Sequence, residues 1–410
     1  MKKLHILVIG DPPIITHSVA VVCAQLAKHW VKLGHKVSYL GYNYTGKEIE
    51  HPDGYIIYPD IKPPTRQESV EHYIKTLKPD IVYSHGSKDV FKEGMQACKK
   101  FGIPYVPHTF YSTPTKNDKV NTFEAKNGFI LYDCEHVDDM FVCNNFSTGV
   151  GFAIGKRTWF VPNGVDTDIF YPNLVGDVII DDYKHNLEIP DDAFVFLFSG
   201  SNLSGKDPGR ALDAFIKFYE KHQGENVYLA MHTRPTNSHL DLRNIAANSI
   251  AKDNVKFFTD AFPEWLEQPE ADESYQKGSF SPPYTTTPYD KMGKVFRTGH
   301  VQLVPTLMEG MSTTILEGMG CGLPVICSDD EVVSEPVTNF ATGLLCRRLL
   351  TNECVTEDVI KHMETFYNDR ELTTRMGVAA SEYTKIKHSW ETISKQFIYH
   401  FNNLIDGWYK

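Results

Sequence analysis

The sequence predicts an α/β protein built from two doubly wound domains, each with a mainly parallel sheet. Three observations lead to this prediction. The chain has 410 residues, and single hydrophobic cores stop growing near about 250–300 residues. Buried strands alternate with amphipathic helices in the first half of the chain. The same alternation starts again in the second half, after a turn-rich break.

The first alternation starts near the N-terminus. The apolar runs 4–9 and 36–40 flank an amphipathic stretch, 18–33, that ends at Gly34, which is the strand, helix, strand order of a parallel sheet. The further strands predicted in this half are 77–85, 102–106, 129–131 and 140–142. We therefore place an N-terminal domain at residues 1–175, and expect the C-terminal helix 392–410 to pack back on it.

The second alternation follows a turn-rich segment around 161–166, within the break between Trp159 and Pro190. Its predicted elements are the strands 194–198, 227–231, 255–258 and 301–305, and the helix 209–222. Residues 263–288 carry five prolines and predict a long loop or insertion. The second domain is placed at 185–391.

Composition excludes several classes of protein. A formal net charge of −11 argues against a nucleic-acid partner, because nucleic-acid binding rests on clustered Lys and Arg. No apolar stretch approaches the roughly 20 residues that span a bilayer, which leaves only peripheral membrane contact open. The eight cysteines form no CxxC pair, so we expect a reducing, cytoplasmic setting and no metal site.

The most informative segment is 304–326, which reads VPTLMEGMSTTILEGMGCGLPVI. It predicts a strand, a short loop, a helix that Ser312 or Thr313 caps, and the next strand. The free N–H groups at such a helix start form an anion site suited to a pyrophosphate. Glu309 precedes the helix and Glu317 lies inside it, so one carboxylate can face a reacting sugar while the other accepts bonds from hydroxyls.

This segment resembles the Glu, seven residues, Glu motif of glycosyltransferase family 4 (group 1), whose common form is E-G-x-G/S-x-x-x-x-E-A-M-A-x-G-x-P-V. Gly318 and Gly320 stand where alanine is common. The resemblance extends over most of the chain, through the segments 34–37, 78–82, 161–166 and 390–391. It implies the GT-B fold, in which two Rossmann-like domains face each other across a cleft. In that fold the N-terminal domain, 1–175, is on the acceptor side, and the C-terminal domain, 185–391, binds the nucleotide sugar.

The resemblance also covers the loop 199–208, SGSNLSGKDP, which looks like the family's phosphate clamp G-R-x-x-x-x-K. Lys206 matches the clamp lysine, which neutralises charge on the leaving diphosphate. Ser201 stands where the family arginine is usual, so the clamp carries less charge here. Arg210 is a candidate to compensate for the missing arginine.

Two further residues are candidates with weaker support. The family histidine that contacts the donor sugar follows a Gly-Ile-Pro segment here, and His108 is the nearest match, although a histidine at a strand end is commonly structural. Asp260 ends a predicted strand and has the acceptors to bind guanine, against the plainer interpretation of a solvated loop aspartate. The first loop, 10–17, lacks the Gly-Gly that family members often carry.

The resemblance implies a retaining, metal-independent hexosyltransferase. Glu309 and His108 are the expected catalytic residues. The expected donor-binding residues are Ser201, Lys206, Asp260, Gly310, Met311, Ser312, Thr313 and Glu317. The donor is a nucleotide diphosphate sugar, with GDP-mannose the first hypothesis and UDP-sugars the second; the acceptor is undetermined. The alternatives are a sugar-nucleotide epimerase of the same fold and a catalytically silent sugar-nucleotide-binding subunit.

Overall fold

The structure is a computed structural model. It describes residues 2–13, 18–61, 66–85, 88–109, 139–153, 155–172, 174–175, 178–179, 181–236, 239–267, 286–310, 312–349 and 353–407. The predicted strand 129–131, Cys134 and Met311 lie outside these ranges.

The first half of the chain forms an eight-stranded sheet in the order β3-β4-β2-β1-β5-β6-β7-β8. Its strands are β1 His5–Gly10, β2 Lys36–Gly41, β3 Ile49–Glu50, β4 Ile56–Tyr58, β5 Ile81–His85, β6 Tyr105–Thr109, β7 Asp139–Val142 and β8 Arg157–Phe160. The helices are α1 Ser18–Lys32, α2 Arg66–Leu77, α3 Lys88–Phe101 and α4 Asn145–Ala153. Neighbouring strands are parallel except β3 and β4.

The second half forms a six-stranded parallel sheet in the order β13-β12-β11-β14-β15-β16. Its strands are β11 Phe194–Ser199, β12 Val227–His232, β13 Val255–Phe257, β14 Val301–Val304, β15 Val325–Ser328 and β16 Gly343–Cys346, and a separate antiparallel pair is formed by β9 Leu174–Val175 and β10 Val178–Ile179. The helices are α5 Pro208–Tyr219, α6 Leu242–Ala247, α7 Phe258–Ala261, α8 Met292–Arg297, α9 Thr313–Gly320, α10 Thr356–Asn368, α11 Arg370–His388 and α12 Trp390–Ile405.

Both sheets reverse their winding direction in the middle, which confirms the predicted doubly wound α/β class. The reversal lies at β1 in the first sheet and at β11 in the second. Strands β1 and β11 are almost continuously apolar because helices cover both faces of the sheet. Where the direction reverses, the loops diverge and leave a crevice at the carboxyl ends of the strands. The candidate site lies at this edge of the second sheet.

The chain crosses between the domains twice, and the two crossings lie side by side. Val165 N–H donates to the His388 carbonyl (2.7 Å), and Trp390 N–H donates to the Val165 carbonyl (3.2 Å). Gly164 lies under the Trp390 ring, where an added Cβ would come within 2.6 Å of the indole. Glycine therefore allows the two crossing segments to pack against each other.

The two segments continue into opposite domains. The C-terminal helix α12 returns to the first sheet, where Phe397 and Phe401 surround Trp30 with ring centroids 5.9 and 5.3 Å away. After the first crossing, the buried Arg297 donates to the carbonyls of Ile169 (3.0 Å) and Tyr171 (3.3 Å). Each domain is thus fastened to the connection by buried contacts.

The segment 263–288 differs in part from the long loop that its prolines predict. Its first residues, Pro263–Leu266, form a 3₁₀ helix. Trp265 is buried and stacks on Phe262 with ring centroids 4.3 Å apart. The start of the segment is packed core because an aromatic pair supplies burial that proline content does not reveal. Residues 268–285 lie outside the described ranges.

Candidate active site

The candidate site is built by two loops that leave adjacent strands of the second sheet. One loop follows β11 and the other follows β14, and these strands are neighbours. Leu307 N–H donates to the Gly205 carbonyl (2.9 Å), and Met308 N–H donates to the same carbonyl (3.4 Å). These bonds hold the two loops together and place Lys206 beside Glu309.

Lys206 and Glu309 form an ion pair between Nζ and Oε2. The side chains keep 27% and 17% of their area exposed, so an anion that enters the cleft can reach both. Lys206 ends a short 3₁₀ turn, and Asp207 then adopts a left-handed φ of 48° and caps α5. The turn and the cap fix the direction of the lysine stem before any ligand is bound.

Burial in the cleft changes the ionisation of Lys206 and Glu317. It lowers the pKa of the Lys206 ammonium to about 8, against an opposing effect of the Glu317 carboxylate. It raises the pKa of Glu317 to about 7, against an opposing effect of Lys206. The groups interact through a medium of low dielectric, in which a cation binds an arriving anion more strongly than it does in water.

The start of α9 presents backbone donors to the same cleft. Ser312 occupies the N-cap position and is buried, but its hydroxyl pairs with the Thr314 hydroxyl (3.1 Å) instead of capping the helix. Thr313, the first residue of the helix, is partly exposed. Uncapped N–H groups at a helix start favour an anion. Gly310 precedes this turn.

Steric contacts explain why glycine replaces the usual alanine at Gly318 and Gly320. A Cβ on Gly318 would lie 2.1 Å from Oε1 of Gln302, a buried side chain of β14 that donates to the Thr314 carbonyl (3.0 Å). A Cβ on Gly320 would lie 3.0 Å from the Phe170 carbonyl. Both glycines therefore make room for groups that reach α9 from other parts of the chain.

The structure places Ser201 in the loop after β11, partly exposed, with its carbonyl accepting from Leu203 N–H (2.9 Å). Arg210 is bound elsewhere: Nε donates to Asp207 (2.6 Å), and a guanidinium N–H donates to the Thr356 hydroxyl (2.9 Å). The hypothesis that Arg210 supplies the second cation of the clamp therefore has no support from its position.

His108 requires a correction. It is completely buried, with its Nε2 bonded to the Val161 carbonyl (3.0 Å) and its Nδ1 to the Tyr83 hydroxyl (2.9 Å). Burial lowers the pKa of His108 well below its usual value, so the ring is neutral. The carbonyl requires the proton on Nε2, and Nδ1 then accepts from Tyr83. Both ring nitrogens are bonded within the core, so neither is available to a donor sugar.

Asp260 is also placed differently from the sequence hypothesis. Its side chain is 53% exposed and pairs with Arg243, which is itself exposed. At this edge of the sheet His232 is buried instead. It bonds to the hydroxyls of Ser199 (3.0 Å) and Thr287 (2.8 Å). Burial lowers the pKa of His232 to about 4.

Sequence reasoning missed one residue that holds the Glu309 loop. Arg348 pairs with the buried carboxylate of Asp330 and donates to the Leu307 carbonyl (3.2 Å). The contact joins positions 41 residues apart. No local pattern could have revealed it, because its partners come from separate loops.

Among the described residues, no group of three His, Cys, Asp or Glu side chains could hold a metal ion. No helix in the same ranges is long and apolar enough to cross a membrane. The seven described cysteines are free and buried.

Two family models match the chain. The model for glycosyl transferases group 1 matches residues 284–383. The model for glycosyltransferase family 4 matches residues 19–169. One range lies in each domain, and together they span more than half of the chain.

Curated relatives match shorter parts. A D-inositol 3-phosphate glycosyltransferase from Acidothermus cellulolyticus is 28% identical over 195 residues, which is 46% of this chain and 37% of that protein. A sucrose synthase from Melioribacter roseus is 27% identical over 115 residues, 27% of this chain and 14% of that protein. The chain thus matches less than half the length of either relative.

Solved structures match nearly the whole chain. Sucrose-phosphate synthase from Thermosynechococcus elongatus gives a TM-score of 0.75 at 15% identity, covering 99% of this chain and 100% of that one. Anabaena HepE in complex with UDP-glucose gives a TM-score of 0.67 at 12% identity, and the match covers 98% of this chain and 100% of that one. These likenesses confirm the predicted fold of two parallel-sheet domains.

Proposed function

Because the chain belongs to the group 1 glycosyltransferases of family 4, we propose that it transfers a hexose from a nucleotide diphosphate sugar with retention of anomeric configuration. The observation that carries the proposal is the meeting of Lys206, Glu309 and the uncapped start of α9 in one cleft. A cation and backbone N–H donors at one point can bind a diphosphate, and a carboxylate beside them can accept hydrogen bonds from a sugar.

In the proposed reaction the protein stabilises the leaving diphosphate. Negative charge builds on the diphosphate as the bond to the sugar breaks, and a fixed ammonium and helix N–H groups bind that charge more strongly in the transition state. The Lys206 ammonium takes the role that a metal ion has in other transferases, so transfer is expected without a metal. Glu309 orients the sugar, and Glu317 accepts bonds from donor hydroxyls.

The ion pair between Lys206 and Glu309 gives the donor-free cleft a starting state. When a diphosphate binds to Lys206, Glu309 loses its partner and becomes free to turn to the sugar. After the exchange Lys206 pairs with the diphosphate, and Glu309 keeps the bond from the Gly310 N–H while it accepts bonds from the sugar. Lys206 and Glu309 therefore pair with each other in the donor-free cleft, and both bind the donor once it has entered.

There are two candidate donors, which differ in both the base and the sugar. GDP-mannose is one candidate, but Asp260, the residue expected to bind guanine, is exposed and paired with Arg243. UDP-glucose is a candidate because the structurally similar Anabaena HepE is described in complex with it. Buried hydroxyls of Thr233 and Thr259, which find no partner among the described residues, lie at the ends of β12 and β13 where a base would bind.

A donor panel tests the proposal directly. The protein is incubated with ¹³C-labelled UDP-glucose or GDP-mannose and with a mixture of candidate acceptors, in EDTA. The expected product carries the α-anomer of the donor, read from the one-bond C–H coupling by NMR, and forms at the same rate in EDTA and in Mg²⁺. An inverted anomer, or activity that EDTA abolishes and Mg²⁺ restores, contradicts the mechanism. A donor converted to its epimer supports the epimerase alternative.

A further inference from the structure

The first domain contacts the Glu309 loop through a short segment at the end of β7. This segment, 143–145, leads into α4 and faces the second domain. It makes two separate contacts there, one with the backbone at Gly310 and one with the side chain of Glu335. The first contact ends at Gly310, which follows Glu309 in the site described above, and the second ends at Glu335, outside that site.

Asn144 has two functions within this segment. Its Oδ1 accepts from Ser147 N–H (2.7 Å) and so caps α4. The cap fixes the plane of the side-chain amide, and Nδ2 then donates across the cleft to the Gly310 carbonyl. The Cys143 thiol lies 4.0 Å from the same carbonyl. Asn144 is buried, with 1% of its area exposed, so the contact is shielded from water.

Gly310 connects this contact to the candidate catalytic carboxylate. Its N–H donates to Oε1 of Glu309 (3.3 Å), while Oε2 of Glu309 pairs with Lys206. Gly310 therefore accepts a hydrogen bond from Asn144 through its carbonyl and donates one to Glu309 through its N–H. A shift of the first domain that breaks the Asn144 bond changes the position of the peptide that holds Glu309.

The second contact strengthens the same arrangement. Glu335 accepts from the backbone N–H of Asn145 (3.1 Å) and from the Asn145 side chain. The carboxylate thus lies at the N-terminus of α4, where the helix dipole favours negative charge. Burial raises the pKa of Glu335, and the bonds from Asn145 oppose the rise. The two contacts lie on consecutive residues and close the cleft from the same side.

We propose that Asn144 is a positioning residue that couples closure of the two domains to the placement of Glu309, with the Asn145–Glu335 contact as a clamp that holds the closed state. The inference rests on the proposed function, since it assigns Glu309 to the transfer step. In the open state Glu309 remains paired with Lys206 but loses the support that Asn144 gives to Gly310.

Substitutions at Asn144 can separate the two functions of its side chain. Asn144→Ser and Asn144→Asp both retain an oxygen that caps a helix. The serine hydroxyl is too short to reach Gly310, and the aspartate sets a carboxylate against the Gly310 carbonyl. Asp369→Ser is the matched control, because Asp369 caps α11 through Leu372 N–H (2.8 Å) and has no part in the site. Glu335→Ala removes the clamp.

The test combines turnover with binding of UDP by calorimetry. Losing one buried hydrogen bond of about 1–1.5 kcal/mol should lower kcat for release of UDP from UDP-glucose about tenfold in both Asn144 variants and in Glu335→Ala. We expect the Kd for UDP to stay within about twofold of the wild type, because the diphosphate is held by the second domain alone. The Asp369→Ser control should match the wild type in both measurements.

The double variant Asn144→Ser/Glu335→Ala should lose less kcat than the product of the single losses, because the two contacts lie on consecutive residues and the loss of one already displaces the other. Wild-type kcat in Asn144→Ser, or a loss of kcat matched by an equal rise in Kd and a fall in Tm, overturns the inference.

Small-angle X-ray scattering separates this failure from a failure of the proposed function. Without any ligand, the double variant should have a larger radius of gyration than the wild type, and an unchanged radius refutes the clamp. A wild type that binds neither UDP nor GDP instead refutes the proposed function.

Discussion

Removing the charge of Glu309 should have opposite effects on binding and on turnover. In the donor-free cleft Lys206 is paired with Glu309, so a diphosphate must displace this carboxylate to reach the ammonium. Glu309→Gln keeps the shape of the side chain and removes the competing charge. We therefore expect tighter binding of a free nucleoside diphosphate and slower transfer in the same variant.

The size of the effect follows from the exposure of the pair. Exposed ion pairs are worth about 0–1 kcal/mol, and breaking a buried pair costs about 3–5 kcal/mol. With 27% and 17% of the two side chains exposed, the pair lies between these limits. We expect about 1–2 kcal/mol of competition, which corresponds to about 5–30-fold tighter binding of UDP or GDP. Loss of the sugar-orienting carboxylate should lower kcat by about 10²-fold.

Isothermal titration with UDP and GDP measures the binding, and release of UDP from UDP-glucose measures the turnover. Glu317→Gln is the control, because it removes a nearby negative charge that is not paired with Lys206. It should weaken binding of the complete donor by about 1–3 kcal/mol, because an NH2 group replaces one of the two oxygens that accept bonds from donor hydroxyls. If Glu309→Gln binds UDP no better than the wild type, the ion pair does not compete with the donor and the reasoning is refuted.

Three further predictions concern the same cleft. Binding of UDP should weaken as pH rises through about 8, where the Lys206 ammonium loses its proton, and Lys206→Arg should flatten this profile because guanidinium stays charged; a profile unchanged by the substitution contradicts the assignment. Ser201→Arg should tighten UDP binding by about 1–2 kcal/mol by restoring a second clamp cation, and weaker binding in calorimetry argues against the clamp. Gly318→Ala should lower the free energy of unfolding in urea by about 1–2 kcal/mol, because its Cβ overlaps the buried Gln302 side chain; the same substitution should cost less in a Gln302→Ala background, and an equal cost there disproves the steric cause.

The fold class could be predicted because its signals are local. The apolar run 4–9 and the strand β1 differ by one residue at each end, and Gly34 ends α1 with a left-handed φ of 86° as a helix stop requires. Strand propensity, helix periodicity and turn residues all lie within short windows of the chain. Their consistency across both halves was enough to indicate two parallel sheets.

The candidate site was less accessible to sequence reasoning. The family pattern after the Gly-Ile-Pro segment predicts His108 at the donor sugar. Its bonding partners Tyr83 and Val161 come from other segments of the chain, so the sequence does not show that both ring nitrogens are occupied. Gly318 differs from the family pattern because of Gln302, a residue on the neighbouring strand. The helix cap that Asn144 forms is a contact within four residues of the chain, while its bond to Gly310 depends on how the two domains meet.

The central claim is that Lys206 and the start of α9 hold the diphosphate of a nucleotide sugar. Calorimetric titration of the wild type and of Lys206→Ala with UDP and GDP tests it most directly. The account predicts that the wild type binds at least one of the two nucleotides, and that Lys206→Ala, with an unchanged circular dichroism spectrum, binds it at least tenfold more weakly because a charge-assisted bond of about 1.5–3 kcal/mol is lost. A wild type that binds neither nucleotide, or a Lys206→Ala variant that binds as tightly as the wild type, contradicts it.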